Sequence, residues 1–199
     1  MRKLILGAAS LLLGVALVAP LAVGKDAAID VGAAAPAFEL QDHNGKNVKL
    51  ADFKDKIVVL EWIHPGCPFV VKHYDAKTMT TLANKYAEKG IVWLAINSTK
   101  DVKNDENKKW ADKYEVKYPI LNDGDGKTGH AYGATNTPHM YIVGKDGKLA
   151  YIGAIDDDAS MKKADKTNYV QKALDELLEG KAVSTPKTKA YGCSVKFKT

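Results

Sequence analysis

Arginine is almost missing from this chain. Of 29 basic residues only Arg2 is an arginine, and the other 28 are lysines. A nucleic-acid binder is expected to cluster its bases, often with arginines whose planar fork pairs bidentately with guanine. Here lysines alternate with acids, as in Lys100-Asp101-Val102-Lys103, which describes a solvated surface and no nucleic-acid partner. Cysteine is nearly as scarce. Cys67 and Cys193 are too few for a disulfide-rich miniature or a four-cysteine zinc site, and enough for one disulfide or one redox pair. A glycine-rich phosphate loop is absent too, because Asp123-Gly124-Asp125-Gly126 reads as a turn, and no organic cofactor is implied. There is no internal repeat and no low-complexity block.

A long apolar run occurs once, at the start. Met1-Arg2-Lys3 is basic, Leu4 to Val18 is almost wholly apolar, Pro20 breaks the run, and Ala22-Val23-Gly24 supplies small residues. This pattern predicts a signal peptide over residues 1–24. The alternative is a membrane anchor, since the stretch from Leu4 to Val23 would just reach across a bilayer. Pro20 and the small-residue site favour cleavage. Export predicts a periplasmic or secreted protein in an oxidising compartment, with no stable membrane association once the leader is removed. Loss of Arg2 and Lys3 lowers the formal charge from +5 to +3 and leaves no arginine.

The remaining composition, with 46% hydrophobic and 27% charged residues over the whole chain, is that of one globular domain. The patterning predicts a domain over 25–180 and a tail over 181–199. Ala37 to Leu40 and Val48 to Leu50 flank Asn44-Gly45 and read as a hairpin. Ile57 to Trp62 and Ile91 to Ile96 read as buried strands. A helix is expected from about Pro68 to Lys89, another over Asp105 to Tyr114, and a last one over Asn168 to Glu179. Met140 to Val143 and Lys148 to Ile152 form a second hairpin. The alternation describes an α/β domain. The tail has no clear period and must either dock or stay mobile.

Cys67 follows a buried strand by the short loop Ile63-His64-Pro65-Gly66 and precedes Pro68, a residue favoured in the first turn of a helix. A thiol there lies at the positive end of a helix dipole, which favours the reactive thiolate. An inert core thiol is the alternative. His64 shares the loop and is a candidate helper for proton transfer or thiolate stabilisation. His139 is a second such candidate. Cys67 with His64, His73 or His139 would also be a donor set for copper or zinc.

Taken together, several segments resemble the thioredoxin superfamily, and within it the redoxin or peroxiredoxin-like branch. Cys67-Pro68-Phe69-Val70 after Val58-Val59-Leu60-Glu61-Trp62 resembles its active-site segment. Ala35-Pro36-Ala37-Phe38-Glu39-Leu40 resembles the N-terminal extension of redoxins. Thr137-Pro138 resembles the cis-proline that faces the active cysteine, and Tyr191-Gly192-Cys193-Ser194-Val195-Lys196 a peroxiredoxin-like tail. The resemblance spans about Asp30 to Lys196. It implies a thioredoxin-like fold: a central mixed sheet flanked by helices, with an N-terminal β-hairpin extension. It implies thiol-based redox chemistry on a disulfide or peroxide substrate, with Cys67 as the nucleophile and electrons from a thiol or dithiol partner. Thr137, Pro138, Trp62, Pro68 and Phe69 would shape the substrate groove.

The chain departs from its relatives in three ways. Val70 stands where thioredoxins have their second cysteine, so the resolving thiol would have to be Cys193, brought back by the tail. Leu60 and His64 stand where peroxiredoxins have proline and threonine, and no arginine remains to polarise a peroxide. Val71 stands where thioredoxin-fold copper chaperones have a second cysteine, which argues against a metal carrier. Two readings compete with the enzyme: a binding module whose Cys67–Cys193 bridge is only structural, and that metal carrier.

Overall fold

The computed structural model describes residues 29–160 and 162–198. The expected signal peptide over 1–24 lies outside the described residues, as do the first residues of the expected domain. The chain enters through a hairpin of β1 (Glu39–Asp42) and β2 (Asn47–Lys49), with Gly45 at φ 84° in the turn. There follow β3 (Val58–Trp62), α1 (Pro68–Asp75), α2 (Thr78–Ala87), β4 (Val92–Asn97) and α3 (Asn104–Tyr114). Then come β5 (Ile120–Asn122), α4 (Lys127–Ala131), β6 (Asn136–Thr137), β7 (His139–Val143), β8 (Leu149–Gly153), α5 (Tyr169–Leu178) and β9 (Cys193–Ser194).

Seven strands form one sheet in the order β2-β1-β5-β4-β3-β7-β8. β3 pairs in parallel with β4, and β4 with β5, while β1, β7 and β8 join antiparallel. This is the mixed, helix-flanked sheet expected of a thioredoxin-like fold. β3 is central and buried in all five residues, because both of its faces are covered. Val58, Leu60 and Trp62 face a core that includes Phe38, Val48, Leu94, Ile96, Tyr132 and Tyr141. Val59 faces the other core, which α1, α2, α3 and α5 fill with Tyr74, Met79, Tyr86, Trp110 and Leu174 among others. The period-2 alternation of the strand thus sorts its side chains between two layers. Among the described residues no helix is long and apolar enough to cross a membrane.

The stretch expected as one helix from Pro68 to Lys89 is two. Ala76 and Lys77 separate them, and Lys77 adopts a left-handed conformation at φ 56°. Neither residue is a glycine or proline, so nothing local marks the break. Four short elements, β5, α4, β6 and β9, carry no pattern long enough to be read from sequence.

Candidate active site

Cys67 lies beyond the carboxyl end of β3, where crevices of open α/β sheets place their chemistry. Cys67 is the N-cap of α1 and Pro68 its first helical residue. Proline there sacrifices an N–H that the helix could not pair anyway. The Cys67 side chain is fully buried, and its thiol donates to the Thr137 carbonyl at 3.0 Å. The Thr137-Pro138 peptide is cis. Burial opposes ionisation of Cys67. Hydrogen bonds from the Cys193 thiol, from the Thr137 hydroxyl and from the Val70 and Cys193 amides outweigh it, so the thiol is held below its ordinary value of 9.0. Val70 is the third residue of the helix, and its otherwise unpaired amide turns the helix start into a site for negative charge.

The tail docks. Pro186 and Thr188 run beside β8, with Ile152 N–H donating to the Pro186 carbonyl at 3.0 Å and Thr188 N–H to the Ile152 carbonyl at 3.0 Å. Farther on, β9 pairs antiparallel with β6, placing Cys193 opposite Thr137. Lys100 N–H then binds the Lys196 carbonyl at 2.7 Å, and Phe197 stacks on His130 with ring centroids 4.0 Å apart. Both cysteines are free thiols, and the β6–β9 pairing sets them near enough for each to shift the other's proton affinity. Cys193 is displaced the opposite way, up to about 11, by burial and by its bond to and repulsion from the Cys67 sulfur. One thiol is thus poised to ionise, and its neighbour to stay protonated and donate to it.

The other expected site residues are placed unevenly. Phe69 is half-buried beside the Tyr191 ring, with centroids 5.9 Å apart, and Pro68 is exposed. Thr137 and Pro138 flank the thiols, but the backbone edge of Thr137 expected to face a substrate is occupied by β9. Trp62 was expected on the groove wall and lies instead inside the core. It is completely buried, packed against Tyr132 and Tyr141, with its indole N–H donating to Ser98 at 3.0 Å. Strand alternation sends it to the opposite face of the sheet from Cys67. His64 folds its ring over Gly66 and bonds through Nδ1 to the Thr99 hydroxyl at 2.9 Å, so it borders the loop without bonding the sulfur. Burial and the charge of Lys196 lower its pKa. His139 is buried, and its Nδ1 contacts the Tyr141 hydroxyl at 3.2 Å and the Thr135 amide at 3.3 Å, so its recorded bonds do not involve either thiol. Among the described residues no group of three His, Cys, Asp or Glu side chains is placed to hold a metal ion.

Two buried polar groups lie beside these residues in arrangements that the sequence does not spell out. Glu61 is a fully buried carboxyl in an otherwise apolar strand, with Oε2 accepting from Trp93 at 2.8 Å and from Tyr118 at 3.4 Å. Burial raises its pKa to about 7 against the opposing bonds from Trp93, Tyr74 and Tyr118. An acid within Val58-Val59-Leu60-Glu61-Trp62 was the available signal. The other is His73, which is buried on α1 and bonds through Nε2 to the Tyr191 hydroxyl at 3.0 Å. Its partner lies in the tail, which no helical pattern would reveal.

A reduced thiol pair across a helix start, one member on the domain and one on a docked strand, defines a thiol-redox protein of thioredoxin-like fold. Residues 31–152 match the AhpC/TSA family, and the chain belongs to that family, as an oxidoreductase of the redoxin type. The chain is 31% identical over 125 residues to a thiol-disulfide oxidoreductase, ResA, of Bacillus thuringiensis subsp. konkukian, covering 63% of this chain and 70% of that protein. Two solved structures are similar over more of its length. A protein of Geobacillus kaustophilus, described as uncharacterized and conserved, shares 33% identity and a TM-score of 0.78, covering 85% of this chain and 93% of that one. A hypothetical protein of Sinorhizobium meliloti 1021 shares 30% identity and a TM-score of 0.78, covering 86% and 96%.

Proposed function

We propose that the protein is an exported thiol–disulfide oxidoreductase in which Cys67 attacks and Cys193 resolves. The observation that carries this is the docking of β9 on β6, which sets the free Cys193 opposite Thr137, the residue whose carbonyl takes the bond of the free Cys67 thiol. The Cys67 thiolate attacks one sulfur of a substrate disulfide, forms a mixed disulfide and releases the first substrate thiolate. Cys193 then attacks the Cys67 sulfur and gives its proton to the second departing thiolate. The protein dithiol loses two electrons and the substrate disulfide becomes two thiols. A thiol or dithiol partner reverses the step and restores the pair. Export rests on the leader pattern and would place the protein in the periplasm or outside the cell.

Peroxide reduction is a second reading, favoured by the complete burial of the Cys67 side chain under the tail, which admits only a small oxidant while the tail is docked. The thiolate would take one oxygen, giving a sulfenic acid and, with a proton, water. Condensation with Cys193 would release a second water.

The test is rapid mixing of reduced protein with oxidised glutathione or with hydrogen peroxide, followed by acid quench and mass measurement. Loss of two hydrogens is expected, with Cys193→Ser trapping a glutathione adduct and Cys67→Ser losing at least about a hundredfold in rate. The oxidant that reacts faster identifies the substrate class. A Cys67→Ser protein that consumes either oxidant at the wild-type rate would overturn the reading.

A further inference from the structure

The tail carries a second anchor two residues before Cys193. The Tyr191 hydroxyl donates to Asp156 Oδ1 at 2.5 Å and meets His73 Nε2 at 3.0 Å. One hydroxyl proton cannot serve both contacts. The phenol spends its proton on the Asp156 carboxylate, so the His73 ring donates from Nε2 to the phenol oxygen. That tautomer leaves Nδ1 as an acceptor, and His73 Nδ1 is indeed a buried atom without a partner. The histidine is neutral, since burial lowers its pKa to about 4. Lys166 lies 3.2 Å from the other oxygen of Asp156. The Tyr191 ring packs against Phe69, in the first turn of the helix that Cys67 caps. The clamp therefore joins the tail to the helix of the attacking thiol and to the segment after β8. Gly192, the residue between clamp and thiol, lies so close to Thr137 that a Cβ would sit 2.1 Å from its carbonyl oxygen.

We infer that Tyr191 is a positioning residue for the resolving step: its hydroxyl, clamped between His73 and Asp156, holds Cys193 against the Cys67 sulfur. This rests on the exchange mechanism proposed above. The clamp gives the two thiols a high effective concentration, because the strand between them and the anchor has one residue of slack. It also keeps the Cys67 sulfur covered until the tail lifts. Loss of the clamp should slow closure of the Cys67–Cys193 bond and speed the first attack.

Tyr191→Phe keeps the ring on Phe69 and removes both hydrogen bonds. Two rates are read in single turnover with oxidised glutathione: loss of free Cys67, and conversion of the glutathione adduct to the internal disulfide. Closure is expected to slow about tenfold, the order expected for a charge-assisted bond, and first attack to hold or accelerate. The equilibrium constant of the internal disulfide against glutathione should fall by a similar factor. Asp156→Asn should act through the same hydroxyl, so the double variant should close no more slowly than Tyr191→Phe alone. Additive losses would mean separate structural roles and overturn the inference, as would unchanged closure in Tyr191→Phe. A wild-type protein that stops at the glutathione adduct would instead refute the exchange mechanism, which separates the two failures.

Discussion

Glu61 holds a carboxyl where no solvent reaches it, and its second oxygen, Oε1, has no partner. The ordinary value for such a group is 4.5, and here it titrates at about 7. Between those values the folded chain keeps a proton that the unfolded chain has released. Folding stability from this group therefore falls as pH rises through the window, and above pH 7 the whole penalty of about 3 kcal/mol applies. His73 and His139 act in the opposite direction. Both are lowered to about 4 by burial, so the unfolded chain takes their protons first and stability falls as pH drops from 6.5 toward 4. Glu61→Gln keeps an acceptor for Trp93 and removes the charge. Its stability relative to wild type, measured by denaturant unfolding, should be higher at pH 8 than at pH 5 by up to about 3 kcal/mol. The histidine contributions cancel in that difference. A flat difference across the range would show that Glu61 is not the group that titrates. The strand-borne acid was visible in the sequence; its altered proton affinity was not, because Trp93, Tyr74 and Tyr118 come from β4, α1 and the segment before β5.

At the scale of elements, the pairing of β6 with β9 decides whether the second thiol belongs to the site. Each strand has two residues. Such pairs carry no periodicity, which is why the tail's destination was open in the sequence while β3, β4 and α5 were legible from apolar runs and helical spacing. The start of α1 was legible too, because a cysteine followed by proline after a buried run is a local signal. The break at Lys77 had no local signal at all. The β6–β9 pairing depends on Gly192, whose φ of 116° disfavours a side chain and whose Cα abuts the Thr137 carbonyl. Gly192→Ala should therefore lift β9 from β6 without touching the sheet. Cys67 should then react with iodoacetamide at least about tenfold faster, since a shift of about 1.4 kcal/mol in tail docking changes the open fraction by that factor. Peptide mass mapping after timed alkylation reads this directly. Unchanged protection of Cys67 would mean that the tail's other anchors suffice to cover it.

Over the whole molecule, the tail is held at successive points along its length by groups from distant parts of the chain. Thr188 binds the Ala154 amide at 2.9 Å, Tyr191 binds Asp156 and His73, β9 binds β6, and Phe197 stacks on His130. These contacts exist with both thiols free. Oxidation therefore needs little rearrangement of the native state, and most of its effect on stability should arise in the unfolded chain, which loses freedom when residues 67 and 193 are joined. A bridge closing so long a loop is expected to add about 5 kcal/mol, or roughly 10–20 °C in Tm for a chain of this size. Near-ultraviolet circular dichroism of the oxidised and reduced forms should be nearly superimposable below the transition, while the oxidised form melts higher. By linkage, that gain equals the factor by which the native fold favours the disulfide over the unfolded chain, so calorimetry and glutathione titration must return the same number. If the oxidised form melts lower, the fold strains the bridge and the protein is built to pass its disulfide on; if higher, as the docked reduced tail leads us to expect, it is built to receive electrons from a strong reductant before each turnover.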